Sequence, residues 1–186
     1  MIETRYDLKR IIKIEKKSYG LSLGRVILGF FGLSELGIIW RYQKNLRKYE
    51  YHLNRKHILL SKLYHFKANK IGLKFGMIIS PNSVDEGMRI CHLGSIVIRG
   101  KIGKNATIHI NTALVGGGSI DEAPICGNNL YLGIGSTIVG PVTLGDNVCV
   151  GAGAVVTKSF QSNCTIAGVP AKIISNIGPL DWHNNK

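Results

Sequence analysis

From Ile78 to Val156 an apolar side chain returns every six residues. The column reads Ile78, Val84, Ile90, Ile96, Ile102, Ile108, Leu114, Ile120, Cys126, Leu132, Ile138, Leu144, Val150 and Val156, so 13 of 14 positions are Ile, Leu or Val. Off the column the same span holds 13 aliphatic residues in 65 positions, which means that the period is not a by-product of an apolar composition. Self-similarity at a fixed short period is the mark of a solenoid, in which each repeat is stabilised by its neighbours.

Each repeat reads as a short strand and a turn. The residue after the column position is often glycine, as at Gly103, Gly127, Gly133, Gly145 and Gly151. Glycine and asparagine at corners tolerate positive φ. Between Leu114 and Cys126 the register of sixes holds but the corner pattern does not, so a projecting loop is expected there, able to shift the phase of everything downstream.

Charge separates the chain into two parts. Residues 1–76 hold 17 Lys or Arg against 5 Asp or Glu, a balance of +12, whereas residues 77–186 hold 7 against 6, a balance of +1. The solenoid is almost neutral and the N-terminal part carries the charge. Residues 1–19 read as a basic amphipathic helix. Residues 21–40 are the most apolar stretch, but Arg25 and Glu35 leave only nine uncharged residues between them, against roughly 20 for a bilayer span. A transmembrane helix is therefore rejected. From Ile39 the apolar positions Ile39, Tyr42, Leu46, Tyr49 and Leu53 alternate steps of three and four, a seam suited to packing on another helix or on the end of the solenoid. A shorter basic and aromatic segment, residues 57–70, follows.

The four cysteines show no CxxC spacing, and no cleavable signal is read at the polar N-terminus, so a cytoplasmic compartment with free thiols is expected. The repeat offers two histidines, too few for a metal site with three converging ligands. Cys126 reads as core.

The repeats, with the ending GAGAVVTKSF and then AGVPAKII, resemble the hexapeptide-repeat acyltransferases over residues 71–174. That resemblance implies an all-β solenoid, a left-handed parallel β-helix of three sixes per coil. It divides the chain into a basic helical region (1–76), an acetyltransferase domain (77–174) and a tail (175–186). Within the superfamily, ICHLGSIVI followed by IGKNATIHI and a Gly-rich loop looks like the serine acetyltransferases, and closer still to shorter relatives that modify sugars of capsular and other surface polysaccharides.

What the resemblance implies is acetyl transfer from acetyl-CoA to a hydroxyl, with His92 as general base and no metal. His109, Asp85 and Glu122 become candidates for the acceptor side. Ile134, Ala152, Thr157, Lys158 and Lys172 become candidates for acetyl-CoA, the first two one full coil apart and the lysines facing phosphates. The site would lie between subunits of a homotrimer. In serine acetyltransferases an aspartate from the preceding coil pairs with the histidine, and the matching place here falls near Ile78. Their Arg-His pair has IDEAPI in its place. On these departures the expected acceptor is a sugar hydroxyl of a surface polysaccharide or its precursor. A serine O-acetyltransferase of cysteine biosynthesis and a non-catalytic β-helix scaffold are the alternatives. The basic N-terminal region reads either as a solvated helical face or as a surface for an anionic membrane, at the inner face of which the protein would then sit; nucleic acid is not an expected partner, because no recognised module accompanies the charge.

Overall fold

The structure, a computed structural model, describes residues 1–117 and 122–179. Four helices open it: α1 (Arg5–Ser18), α2 (Leu23–Phe30), α3 (Glu35–Asn54) and α4 (Ile58–Phe75). A capping box between Thr4 and Asp7 starts α1, and Ser22 and Ser34 cap α2 and α3 with their hydroxyls. Where α2 meets α3, a Cβ on Gly29 would lie 2.3 Å from the backbone of Gly37, so this approach requires glycine. The seam of α3 is buried at Ile39, Tyr42 and Leu46, as its spacing predicts. The basic aromatic segment expected at 57–70 belongs to the longer α4, which ends at Gly76 in the left-handed conformation.

Fourteen short strands are described after it: β1 (Met77–Ile79), β2 (Arg89–Ile90), β3 (Ile96–Ile98), β4 (Lys101–Ile102), β5 (Thr107–Ile108), β6 (Thr112–Val115), β7 (Ile125–Cys126), β8 (Tyr131–Leu132), β9 (Thr137–Val139), β10 (Thr143–Leu144), β11 (Val148–Val150), β12 (Val155–Val156), β13 (Cys164–Ala167) and β14 (Lys172–Ser175). They form three sheets. The first stacks β1, β3, β6, β9 and β12; the second β4, β7 and β10; the third β2, β5, β8, β11, β13 and β14. All pairs are parallel except β13 with β14, and the result is the expected left-handed parallel β-helix.

From Val84 to Val156 every described column residue is at most 4% exposed, and each buried aliphatic stabilises by about 1.5–3 kcal/mol. Two column positions stand apart. Ile120 lies outside the described residues. Ile78 points outward at 43% exposure, because β1 pairs with Ile96 through Met77, and strand alternation then turns Met77 and Ile79 inward.

Partners stacked within a sheet show what the loop does. Ile102 sits on Cys126, Ile108 on Leu132 and Leu114 on Ile138, each 24 residues apart, whereas Leu132 and Val150 are 18 apart. The expected loop between Leu114 and Cys126 thus inserts one six, preserving the column's count while rotating its phase by one face. At the corner between the second and third sheets, Asn105, Asn129, Asn147 and Asn163 all take positive φ. Their amides form a ladder, each donating to the next at 3.2, 2.7 and 2.8 Å.

The first coil has no preceding coil to pair with, and the helices supply what it lacks. Gln43 donates to the carbonyl of Met88 (2.8 Å), and Arg47 to those of Val84 and Asp85 (both 2.7 Å). The Tyr19 hydroxyl accepts from the Ile90 amide (2.8 Å) and Glu50 from that of Asn82 (2.9 Å). Buried Arg47 is itself bound to Glu15 (2.7 Å) and Glu50 (2.9 Å). Burial opposes its charge, but the two carboxylates prevail and push its pKa up. The helical region is therefore an end cap built from polar side chains.

Candidate active site

The corner between the third and first sheets repeats coil by coil. Ile90 stacks on Ile108, Ile108 on Leu132, and Leu132 on Val150. The residues two places after these are His92, Ile110, Ile134 and Ala152, so His92 shares a corner with Ile134 and Ala152, the outcome expected of a six-residue insertion. Gly133 must be glycine, since a Cβ there would lie 2.7 Å from the Ala152 nitrogen. The Ile134 carbonyl accepts from Gly153 (2.8 Å), while the Ile134 and Ala152 N–H groups donate to no acceptor among the described residues. Two unspent amides therefore stand one coil apart beside the histidine.

The carboxylate partner of His92 comes from the cap. Glu35, the first residue of α3, places Oε1 3.4 Å from His92 Nδ1 and accepts from the Leu93 N–H at 2.9 Å. Both side chains are about half exposed, at 57% for His92 and 46% for Glu35. This contact engages Nδ1 and not Nε2 of the half-exposed ring. Nothing local in the sequence marks Glu35, since it lies 57 residues before His92 and is joined to it only by the docking of α3. Nearby acids do other work. Asp85 sits at a different corner, 4.0 Å from the N-terminal amine, and Glu86 binds Arg10 and, at 3.0 Å, Lys104.

His109 stands beside His92, with ring centroids 6.5 Å apart, and packs on Tyr131 at 5.1 Å. Its Nδ1 is buried without a partner among the described residues. Burial, His92 and Arg89 hold its pKa below the ordinary histidine value, so the ring is neutral at pH 7 and keeps a spare polar atom in the wall of the site. Tyr131 belongs to no motif in the sequence, although its place before the Leu132 column position puts it on this face.

The remaining candidates lie elsewhere. Glu122 is exposed on the loop, and Thr157 and Lys158 follow Val156 at the corner between the first and second sheets, with the Lys158 ammonium 5.5 Å from the Phe160 ring. Lys172 opens β14 opposite Ala167. One chain thus brings together His92, Glu35, His109, Ile134 and Ala152, but not Thr157 and Lys158. Among the described residues no group of three or more His, Cys, Asp or Glu could hold a metal. Burial pushes the Cys126 thiol up to about 12, which suits a core residue.

Fold and corner together are those of a β-helix built on a six-residue repeat. Residues 123–158 match the family described as "Bacterial transferase hexapeptide (six repeats)". Within that class the chain is similar to serine acetyltransferases. It is 34% identical to that of Synechococcus elongatus over 104 residues, covering 53% of this chain and 41% of the relative. To that of Helicobacter pylori strain J99 it is 27% identical over 180 residues, covering 94% and 98%. Among solved structures, the Brucella abortus serine acetyltransferase aligns with a TM-score of 0.65 at 25% identity, over 75% of this chain and 57% of that one. A serine acetyltransferase in complex with CoA gives 0.60 at 26%, over 73% and 56%. The chain spans about half the length of the first four curated relatives.

These matches overturn the expected polysaccharide acceptor. The relatives that cover most of the chain are serine acetyltransferases, and a galactoside O-acetyltransferase of Escherichia coli, 44% identical, matches over only 57 residues. The physical argument for a sugar also loses force. One of its two grounds was a missing acid near Ile78, and a carboxylate reaches His92 from α3 instead.

Proposed function

We propose that the protein is an acetyl-CoA-dependent serine O-acetyltransferase. The observation that carries this reading is the His92–Glu35 pair at the corner that also presents the Ile134 and Ala152 amides, in a chain similar to serine acetyltransferases along nearly all its described length. Glu35 holds the Nδ1 proton of His92. Nε2 takes the proton of the serine hydroxyl as its oxygen bonds the thioester carbonyl carbon. The tetrahedral intermediate then collapses, the carbon–sulfur bond breaks, and the same proton passes to the departing sulfur, giving O-acetylserine and CoA. His109, with its unpartnered Nδ1, faces the acceptor. Ile134 and Ala152 hold the pantetheine arm through their amides.

Thr157 and Lys158 sit at a corner that His92 does not share, which favours a homotrimer in which a neighbouring copy supplies them, with Lys172, to the phosphates. Free thiols at all four cysteines suit the cytoplasm. The test is CoA release from acetyl-CoA and L-serine. His92→Ala is expected to lower turnover by about 10²–10⁴-fold, and mixing it with Lys158→Ala chains to restore part of the activity. Unchanged turnover in His92→Ala would sink the mechanism, and absence of serine-dependent release would sink the reading.

A further inference from the structure

The surface farthest from explanation is the outer face of the cap. On α4 one side, through Ser61, Ala68, Ile71 and Gly72, is buried. The opposite side carries Leu59, Leu63, Phe66 and Leu73, exposed at 84%, 42%, 65% and 70%. Their spacing of four, three and seven residues makes them one stripe along the helix. Beside the stripe, α2 and the turn after it expose Leu23, Ile27, Phe30, Phe31 and Leu33. An amphipathic helix normally hides its apolar side; here two helices with a covered side present a second apolar one to solvent.

The charge on this face is of one sign. A cleft of about 440 Å³ opens between α2, α3 and α4, and Arg41, Lys44, Lys48, Lys67 and Lys70 line it without a carboxylate. Lys48 and Lys67 lie 4.8 and 5.3 Å from the centre of the Tyr64 ring, and Arg41 lies 5.0 Å over Phe30 and donates to the Gly29 and Phe30 carbonyls. Residues 51–84 contain no Asp or Glu. Four of the five acids of the cap are used elsewhere: Glu15 and Glu50 bind Arg47, Glu35 meets His92, and Asp7 caps α1. Burial and the neighbouring Lys48 and Lys16 hold the Lys44 pKa below its usual value, as expected of an ammonium without a counter-ion.

We infer that this face docks the protein on an anionic lipid bilayer, the cleft lysines taking headgroup phosphates while the Leu63–Phe66 stripe and the Phe30 tip of α2 enter the acyl boundary. The inference goes beyond serine acetylation and does not depend on it. A second copy paired through this same face would bring lysine against lysine with no acid between them. A soluble polyanion would fill the cleft and leave the stripe in water. An anionic bilayer alone meets both halves of the surface. Among the described residues no single helix is long and apolar enough to cross a membrane, although α2 and α3 taken together across their 81° bend have the length and composition; the contact inferred is one of lying on the surface.

The test is co-sedimentation of the full chain with vesicles of phosphatidylcholine, with and without phosphatidylglycerol, at about 0.1 M salt, where the Debye length is about 10 Å. Binding is expected to the anionic vesicles only and to fall as salt rises. Leu63→Asp with Phe66→Asp, and separately Lys44→Glu with Lys67→Glu, should each weaken it at least tenfold while leaving CoA release unchanged, which also shows that the variants fold. Absence of binding to anionic vesicles overturns the proposal, as does equal binding to both compositions. Charge-reversal variants that bind as well as the parent overturn it too. So does protection of the α4 stripe from hydrogen exchange in the vesicle-free protein together with assembly beyond a trimer by light scattering, because a further copy then covers the face.

Discussion

The β-helix and its helical cap are stabilised by different physics. In the β-helix, stacked aliphatic columns at 4% exposure or less carry the fold, each coil meets only its neighbours, and the charge balance over residues 77–186 is +1. The cap carries +12 and meets the first coil through directed polar contacts from Tyr19, Gln43, Arg47 and Glu50. A repeat can specify how coils stack but not how the stack ends. At the end, the ladder groups of an unpaired coil have to be satisfied by something other than another coil, and a helix bearing long polar side chains can do this where an aliphatic one cannot.

The sharpest way to break this comparison is to remove Arg47. It binds two buried carboxylates and two backbone carbonyls, so Arg47→Ala strands all four and should destabilise by about 3–5 kcal/mol. Replacing Glu15, Arg47 and Glu50 together by apolar residues should not rescue it, as a buried ion pair alone would predict, because the Val84 and Asp85 carbonyls and the Asn82 amide would remain unpaired. Denaturation followed by fluorescence of buried Trp40, with Trp182 replaced by Phe, and by far-UV circular dichroism reads the two regions separately. Loss of the Trp40 signal before the β signal supports two regions; coincident loss shows that cap and coil unfold as one.

Within the β-helix the matching test is Leu132→Ala. Leu132 is 1% exposed and stacked between Ile108 and Val150, so its removal should cost about 2–5 kcal/mol, with the value set by how far neighbouring coils collapse into the cavity. Here the β transition should shift more than that of Trp40. The reverse order would mean that the cap, not the column, limits the solenoid's stability.

The same division explains what could be read from the chain. The column at Val84, Ile90, Ile108 and Leu132 was legible because burial of an aliphatic side chain is a local demand repeated at a fixed period. The inserted six was legible only as a defect in corner pattern between Leu114 and Cys126, and the stacked partners 24 apart were needed to establish that it rotates His92 onto the corner of Ile134 and Ala152. At Ile78 the count of sixes is out of register by one residue, because β1 stacks on β3 through Met77 and Ile96. The site was half legible. His92 and His109 lie in the repeat and inherit its phase, whereas Glu35 arrives by tertiary docking, which no spacing encodes.

Glu86 provides the finest test, because it lies on the seam between the two regions. It binds Arg10 of α1 and Lys104 of the neighbouring coil and is 16% exposed. Burial raises its pKa, but the hydrogen bonds and charges of Lys104 and Arg10 outweigh this and hold it below the usual 4.5. A carboxyl depressed in the folded state adds stability above its unfolded pKa, and that stability is lost as pH falls through the folded value. Glu86→Gln should therefore lower stability by no more than about 1 kcal/mol near neutral pH, and the difference from the parent should vanish well below the carboxylate range. Raised salt should shrink the neutral-pH difference, since the pair is partly solvated. A loss comparable to that of Arg47→Ala would show that the seam is held by Coulomb attraction across α1 rather than by the pairing of the first coil's backbone. A difference that persists in acid would show that Glu86 acts through hydrogen bonds its protonated form keeps.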